Sequence, residues 1–161
     1  MYPVFLSLGS NMGNRKANLN KALRLLGSES GSIRKVSSVY ETEPWGCSHK
    51  NNFYNQVVEL ATHLGPIELL DRLHEIEKLC GRKPSGEQYA ARKLDIDILF
   101  YESSIITAEH IKIPHPLTHR RLFVLIPLAE IAPVFIHPVL GNTISQLLAI
   151  CEDEKKVLKI G

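Results

Sequence analysis

Cysteine is scarce in this chain. Cys47, Cys80 and Cys151 are the only three, and they lie far apart in no ligand spacing. Their odd number and scatter speak against a disulfide scaffold and a thiolate metal centre, and suit a reduced, cytoplasmic setting. No apolar run approaches the roughly 20 residues that span a bilayer. The opening residues 2–8 lack a basic leader, so no membrane partner is expected. Neither sign of charge predominates: 19 basic and 17 acidic side chains leave a formal +2. That balance argues against nucleic-acid binding by bulk electrostatics, so any preference for phosphate must come from local clustering. Internal repeats and low-complexity tracts are missing, and tryptophan occurs once, at Trp45.

What is present is an ordinary globular composition, 44% hydrophobic and 22% charged over 161 residues. One domain over 1–161 with a single core is expected. Residues 4–8 alternate and end at Gly9, which predicts a first strand. Leu19, Ala22, Leu23 and Leu26 recur at helical spacing, with Gly27 as the stop. Residues 33–40 predict a second strand, 43–52 a loop and 53–60 a third strand. Gly65-Pro66 opens a helix whose buried stripe is read as Ile67, Leu70, Leu73, Ile76 and Cys80, closed by Gly81. Residues 82–91 form a polar loop, and 94–101 a fourth, strongly apolar strand. Short strand pieces follow near Ile105 and Ile111. A helix over 122–131 is predicted despite Pro127, and Thr143 caps a last helix over 144–150. Strand, helix, two strands, helix, strand and a helical tail predict an α+β fold with a mainly antiparallel sheet flanked by helices. A βαββαβ ferredoxin-like core is one pattern it could follow.

Asp95 and Asp97 are the most informative residues. On a strand they share a face, with Cα atoms about 6.6 Å apart, while Leu94, Ile96 and Ile98 point the other way. Two carboxylates in so apolar a segment are costly to desolvate unless something positive meets them. Magnesium takes one or two carboxylates together with substrate phosphates, and a pair can bridge two ions. Spacing alone leaves a second reading open, a hydrated edge pair or one matched to Arg or Lys.

Basic residues surround that pair in sequence. Arg82 and Arg92 bracket the polar loop that leads into it, and Arg120 and Arg121 follow His115. Arginine forks suit phosphate, although each residue singly is equally a solvated charge. His115, between Pro114 and Pro116, could donate to phosphate, act as an acid or simply build a turn. Glu77 lies at the edge of its helix's predicted stripe, where pairing with a loop arginine is expected. The turn Gly9-Ser10-Asn11 lacks both the G-x-G-x-x-G and Walker patterns and is a weak phosphate cradle. Thr42, Trp45, Phe53, Asn55 and Phe123 offer aromatic faces and an amide suited to a flat heteroaromatic ring; core aromatics and a turn asparagine are the alternative.

Taken in order, these pieces resemble the 6-hydroxymethyl-7,8-dihydropterin pyrophosphokinase family over nearly the whole length. The resemblance rests on Leu8-Gly9-Ser10-Asn11, Ser37-Ser38-Val39-Tyr40-Glu41-Thr42 with Pro44 and Gly46, and Phe53-Tyr54-Asn55. It continues through Glu77 with Gly81-Arg82, and Arg92-Lys93-Leu94-Asp95-Ile96-Asp97-Ile98-Leu99. Ile113-Pro114-His115-Pro116, the run from Arg121-Leu122-Phe123 to Pro127-Leu128, and Ile131-Ala132-Pro133 complete it. The resemblance implies transfer of pyrophosphate from ATP to 6-hydroxymethyl-7,8-dihydropterin in folate biosynthesis, with AMP leaving. It implies two Mg2+ ions on Asp95 and Asp97, and catalytic loop arginines Arg82 and Arg92. Leu70, His74, Glu77, Ile98, His115 and Arg121, with the two loop arginines, would meet ATP. Thr42, Trp45, Phe53, Asn55, Asp95 and Phe123 would meet the pterin. It also implies a three-layer α/β/α arrangement, and a monomer is expected. Tyr89-Ala90-Ala91 stands where the family usually has Trp-Gly-Pro, Pro84 and Pro116 replace a frequent basic residue and tyrosine, and His74 a frequent glutamine. A binding domain without turnover and a nucleic-acid binder are the competing classes.

Overall fold

The structure, a computed structural model, describes residues 1–44, 51–81 and 93–161. The chain runs β1 (Tyr2–Ser10), α1 (Arg15–Glu29), β2 (Ser32–Val36), β3 (Tyr40–Thr42), β4 (Phe53–Thr62), α2 (Pro66–Leu79) and β5 (Asp95–Tyr101). It continues with β6 (Ile106–Thr107), β7 (Lys112–Ile113), a 3-10 turn at Thr118–Arg120, α3 (Leu122–Ile131), α4 (Ile144–Ile150) and β8 (Val157–Lys159). The six-stranded sheet has the order β5-β1-β4-β3-β8, with β2 also on β4, and every pairing in it is antiparallel. With β2 and β3 counted as one interrupted strand, the first five strands and two helices give the βαββαβ order of a ferredoxin-like core.

Helices cover both faces of this sheet. On what we call the back, Leu6, Leu8, Val58, Leu60, Ile96 and Ile98 pack against Leu19, Ala22 and Leu26 of α1 and Leu69, Leu73 and Ile76 of α2. On the front, Phe5, Val57, Leu99 and Phe100 pack against Val124, Leu125 and Leu128 of α3 and Ile144 and Leu147 of α4. Cover on both sides explains why β1 is buried continuously from Val4 to Ser10 instead of at every second residue. The layers are therefore α/β/α.

Four sequence readings need correction. First, α1 does not stop at Gly27 but runs to Glu29 with Ser30 as its C-cap. Gly27 lies on the exposed face, where its cost of about 1 kcal/mol is outweighed by the packing of Leu19, Ala22 and Leu26. The glycine that the turn requires is Gly31, where a Cβ would lie 2.2 Å from the Ala61 carbonyl oxygen. Second, the strand expected over 33–40 is two. At Ser37 the backbone N–H still donates to the Val57 carbonyl at 2.9 Å. The hydroxyl, however, accepts the Val57 N–H at 2.9 Å, so a side chain takes the place of the backbone acceptor and the ladder breaks off there.

Third, the buried stripe of α2 is Leu69, Leu73, Ile76 and Glu77. Ile67 is exposed and Leu70 half-buried, so the predicted face is rotated, and Glu77, though at the margin of the observed stripe, is fully buried. Fourth, the tail is not wholly helical. The short β8 pairs with β3 at the sheet edge, and with only three residues, Val157–Lys159, it is too short for a strand's alternation to stand out. The helix over 122–131, with Pro127 inside it, forms as read. So does the Thr143 cap, which accepts from the Gln146 N–H at 3.2 Å.

Candidate active site

Register places the polar residues of three strands in one row on the front face. Asp95 of β5 lies opposite Gly9 of β1, and Asp97 opposite Ser7. Gly9 in turn lies opposite Asn55 of β4, and Phe53 opposite Thr42 of β3. Directly opposed residues share a face, so Asp95, Asp97, Asn55, Phe53 and Thr42 all face the α3 side. Leu94, Ile96 and Ile98 turn into the back core. Asp95 and Asp97 are half-buried.

Gly9 is what lets this row close up. A Cβ there would stand 3.0 Å from Asn55 Oδ1 and 3.6 Å from the Phe53 ring; those side chains lie across the bare glycine toward β5. A glycine within a strand often marks such an approach. Asn55 (4% exposed) and Thr42 (2%) are buried. The Asn55 amide Nδ2 donates to Thr42 Oγ1 at 2.5 Å, which fixes the amide plane. The turn after β1 offers no open cradle: Ser10 and Asn11 are buried, and Ser10 Oγ accepts from Asn18 at 3.1 Å.

The segment after β7 brings cationic and donor groups to the same region. His115 is tied to the edge of the sheet by its N–H, which donates to the Leu99 carbonyl at 3.0 Å. Its Nδ1 accepts the Leu117 N–H at 3.2 Å, so the neutral ring carries its proton on Nε2. Burial, then the Arg121 guanidinium, lowers its pKa to about 4, against a smaller opposite pull from Asp95. At neutral pH His115 is therefore a neutral hydrogen-bond donor, not an acid. Arg121, only 8% exposed, precedes α3 and sits over the Phe123 ring, 5.4 Å from its centroid. The helix start is held by Asp153, whose Oδ2 accepts the Leu122 N–H at 3.0 Å. The sequence reading missed that residue, because a capping acid thirty-one positions downstream leaves no local signal.

Leu70, His74 and Glu77 line α2, behind the sheet, and Ile98 packs there too. The structure thus separates the sequence-derived nucleotide residues into two groups on opposite sides of β5. That strand is an edge strand of the large sheet, so one ligand crossing its edge could touch both. Glu77 is 1% exposed, while His74 is exposed. Arg82, Arg92 and Trp45 lie outside the described residues, as does the expected pairing of Glu77 with a loop arginine. Among the described residues no three His, Cys, Asp or Glu side chains converge as a metal cluster.

Solved structures share this fold. The HPPK-DHPS of Plasmodium falciparum matches 92% of this chain with a TM-score of 0.75 at 20% identity. This chain spans 43% of that one, and the likeness establishes the fold.

Sequence comparison goes further. The pattern of the 7,8-dihydro-6-hydroxymethylpterin-pyrophosphokinase (HPPK) family matches residues 5–133. The 2-amino-4-hydroxy-6-hydroxymethyldihydropteridine pyrophosphokinase of Aquifex aeolicus is 42% identical over 139 residues, 86% of each chain. That of Bacillus subtilis is 41% identical over 129 residues, 80% of this chain and 77% of the other. The folate synthesis bifunctional protein of Arabidopsis thaliana is 42% identical over 128 residues, 80% of this chain but 26% of its own. The chain belongs to the HPPK family, and it is an ATP-dependent pyrophosphokinase.

Proposed function

We propose that this enzyme moves the terminal pyrophosphoryl group of ATP onto the hydroxymethyl oxygen of 6-hydroxymethyl-7,8-dihydropterin, releasing AMP, within folate biosynthesis. The observation that carries the site assignment is the single row Asp95–Gly9–Asn55 across three strands. It sets a carboxylate pair beside a buried amide whose orientation Thr42 fixes.

Asp95 and Asp97 fit magnesium. They supply two hard, half-buried oxygen donors on one face of β5. We assign two Mg2+ ions to them; bound there with ATP, the metal would neutralise phosphate charge and make the attacking alcohol more acidic. His115 Nε2 and the Arg121 guanidinium are the donors that would hold the phosphates in line. Arg82 and Arg92 we assign, on the family resemblance, to the group in transfer. Asn55 would read the edge of the pterin, with Phe53, Phe123 and Trp45 against its faces and Thr42 locking the amide. Leu70, His74, Glu77 and Ile98 would meet the nucleotide where it crosses the edge of β5.

No side chain in the row is placed as a general base, so positioning and charge should supply the rate. We further assign the protein to the cytoplasm as a monomer acting on small molecules. Its balanced charge and the free thiols of Cys80 and Cys151 support that reading, and no helix among the described residues is long and apolar enough to cross a membrane. The nucleotide product tests the reaction. Chromatography of a reaction with ATP, magnesium and the pterin should give AMP in step with pterin diphosphate; ADP in its place would make this an ordinary kinase.

A further inference from the structure

The first residue of α1 breaks a local rule. Helix N-termini favour acidic over basic groups, yet α1 opens Arg15-Lys16 and has no acid in its first turn. Arg15 is engaged from three directions. Its Nη2 lies 3.1 Å from Glu41 Oε2, its Nη1 donates to the Asn52 carbonyl at 2.8 Å, and its guanidinium carbon sits 3.8 Å from the Tyr54 ring centroid. Glu41 and Tyr54 are directly opposed across β3 and β4. One planar fork therefore bridges a cross-strand pair and also grips the residue that leads into β4.

An ion pair this exposed adds little to stability. What a rigid fork supplies is geometry. Side chains alternate along a strand, so the immediate neighbours of Glu41 and Tyr54, namely Thr42, Phe53 and Asn55, project from the opposite face. We propose that Arg15 is a positioning residue for the pterin: from the back of the sheet it locks the ends of β3 and β4, and with them the Asn55–Thr42 amide and the Phe53 ring on the front. This rests on the assignment of those three residues to the pterin. It requires no contact between Arg15 and either substrate.

The test compares Arg15→Ala, Arg15→Lys and Glu41→Gln in the full chain, with AMP release measured while pterin and ATP are varied separately. A displacement near 1 Å can cost a rate up to about a hundredfold. Arg15→Ala should raise the pterin KM about tenfold and leave the ATP KM within about twofold. Arg15→Lys and Glu41→Gln should fall between it and the parent, since each keeps part of the clasp. An unchanged pterin KM, or an equal rise in both KM values, overturns the inference. If Arg15→Ala does not fold, Glu41→Gln decides: a pterin KM equal to the parent's overturns it. Parent enzyme that releases no AMP with both substrates present would sink the underlying functional reading, and this inference with it.

Discussion

The two ends of the front face are built from the same three strands and share almost no chemistry. At one end Phe5 of β1, Val57 of β4 and Leu99 of β5 disappear beneath α3 and α4. Phe5 and Phe100 each meet Phe135, with ring centroids 5.1 and 4.8 Å apart. A few residues along the same strands stand Gly9, Asn55, Asp97 and Asp95. Nothing in strand geometry requires the change; continued apolar alternation would have extended the core. The polar end gives up burial of apolar area, worth about 25 cal/mol per Å2, and accepts half-buried carboxylates instead. Such exchanges are expected where a site is traded against stability. The near end should therefore matter for turnover and the far end for folding.

Substitutions can break that division. Asp97→Ala should lower kcat by about a thousandfold or more, the scale of losing a preorganised charge contact at a reacting phosphate. Its melting temperature should stay within a few degrees of the parent, because the half-buried Asp97 lies outside both apolar clusters. Steady-state AMP release and a thermal melt on one preparation check both halves; retained turnover would remove Asp97 from the essential ligands. At the far end, Phe100 is fully buried among aromatic and aliphatic neighbours. Phe100→Ala should cost about 3–5 kcal/mol of stability, read as a lower urea midpoint, with kcat per folded molecule near the parent value. A kcat that fell with the stability would mean that the two ends are mechanically one.

How far the sequence revealed this layout depended on whether a signal was local. The alternation of Asp95 and Asp97 with Ile96 and Ile98 could be read directly, because a strand's period of two separates its faces without tertiary information. Thr143 and Pro66 marked helix starts for the same reason. Where a distant partner decided, the reading failed. Ser37 interrupts its strand through a bond to Val57, and α2 turns Leu69 rather than Ile67 and Leu70 inward because β5 and α1 lie on that side. Asp153 and Arg15 act on residues 31 and 37 positions away. Asn55 was legible as a polar residue on a strand face, but the amide's fixed orientation depends on Thr42, thirteen positions earlier.

The smallest expected effect concerns what holds α3 over both ends at once. Near the C-terminus of α3, Glu130 accepts from the Ser38 N–H at 2.9 Å and the Ser38 hydroxyl at 2.8 Å, and from the Tyr40 phenol. Burial alone would raise the Glu130 carboxyl, but the hydrogen bonds from Tyr40 and Ser38 outweigh it and hold the group below its usual value. Burial, then Glu130, pushes the Tyr40 phenol up to about 12. The signs define a window. A depressed carboxyl contributes stability above its ordinary pKa and loses it as pH falls through the folded value; a raised phenol contributes below about 10 and loses it as pH climbs toward 12. Glu130→Gln should therefore cost about 1 kcal/mol at neutral pH, kept small by the exposure of Glu130. Parent and variant should converge in acid, which thermal melts across a pH series would follow. A gap that persisted undiminished in acid would show that Glu130 holds α3 by shape, with its charge contributing nothing.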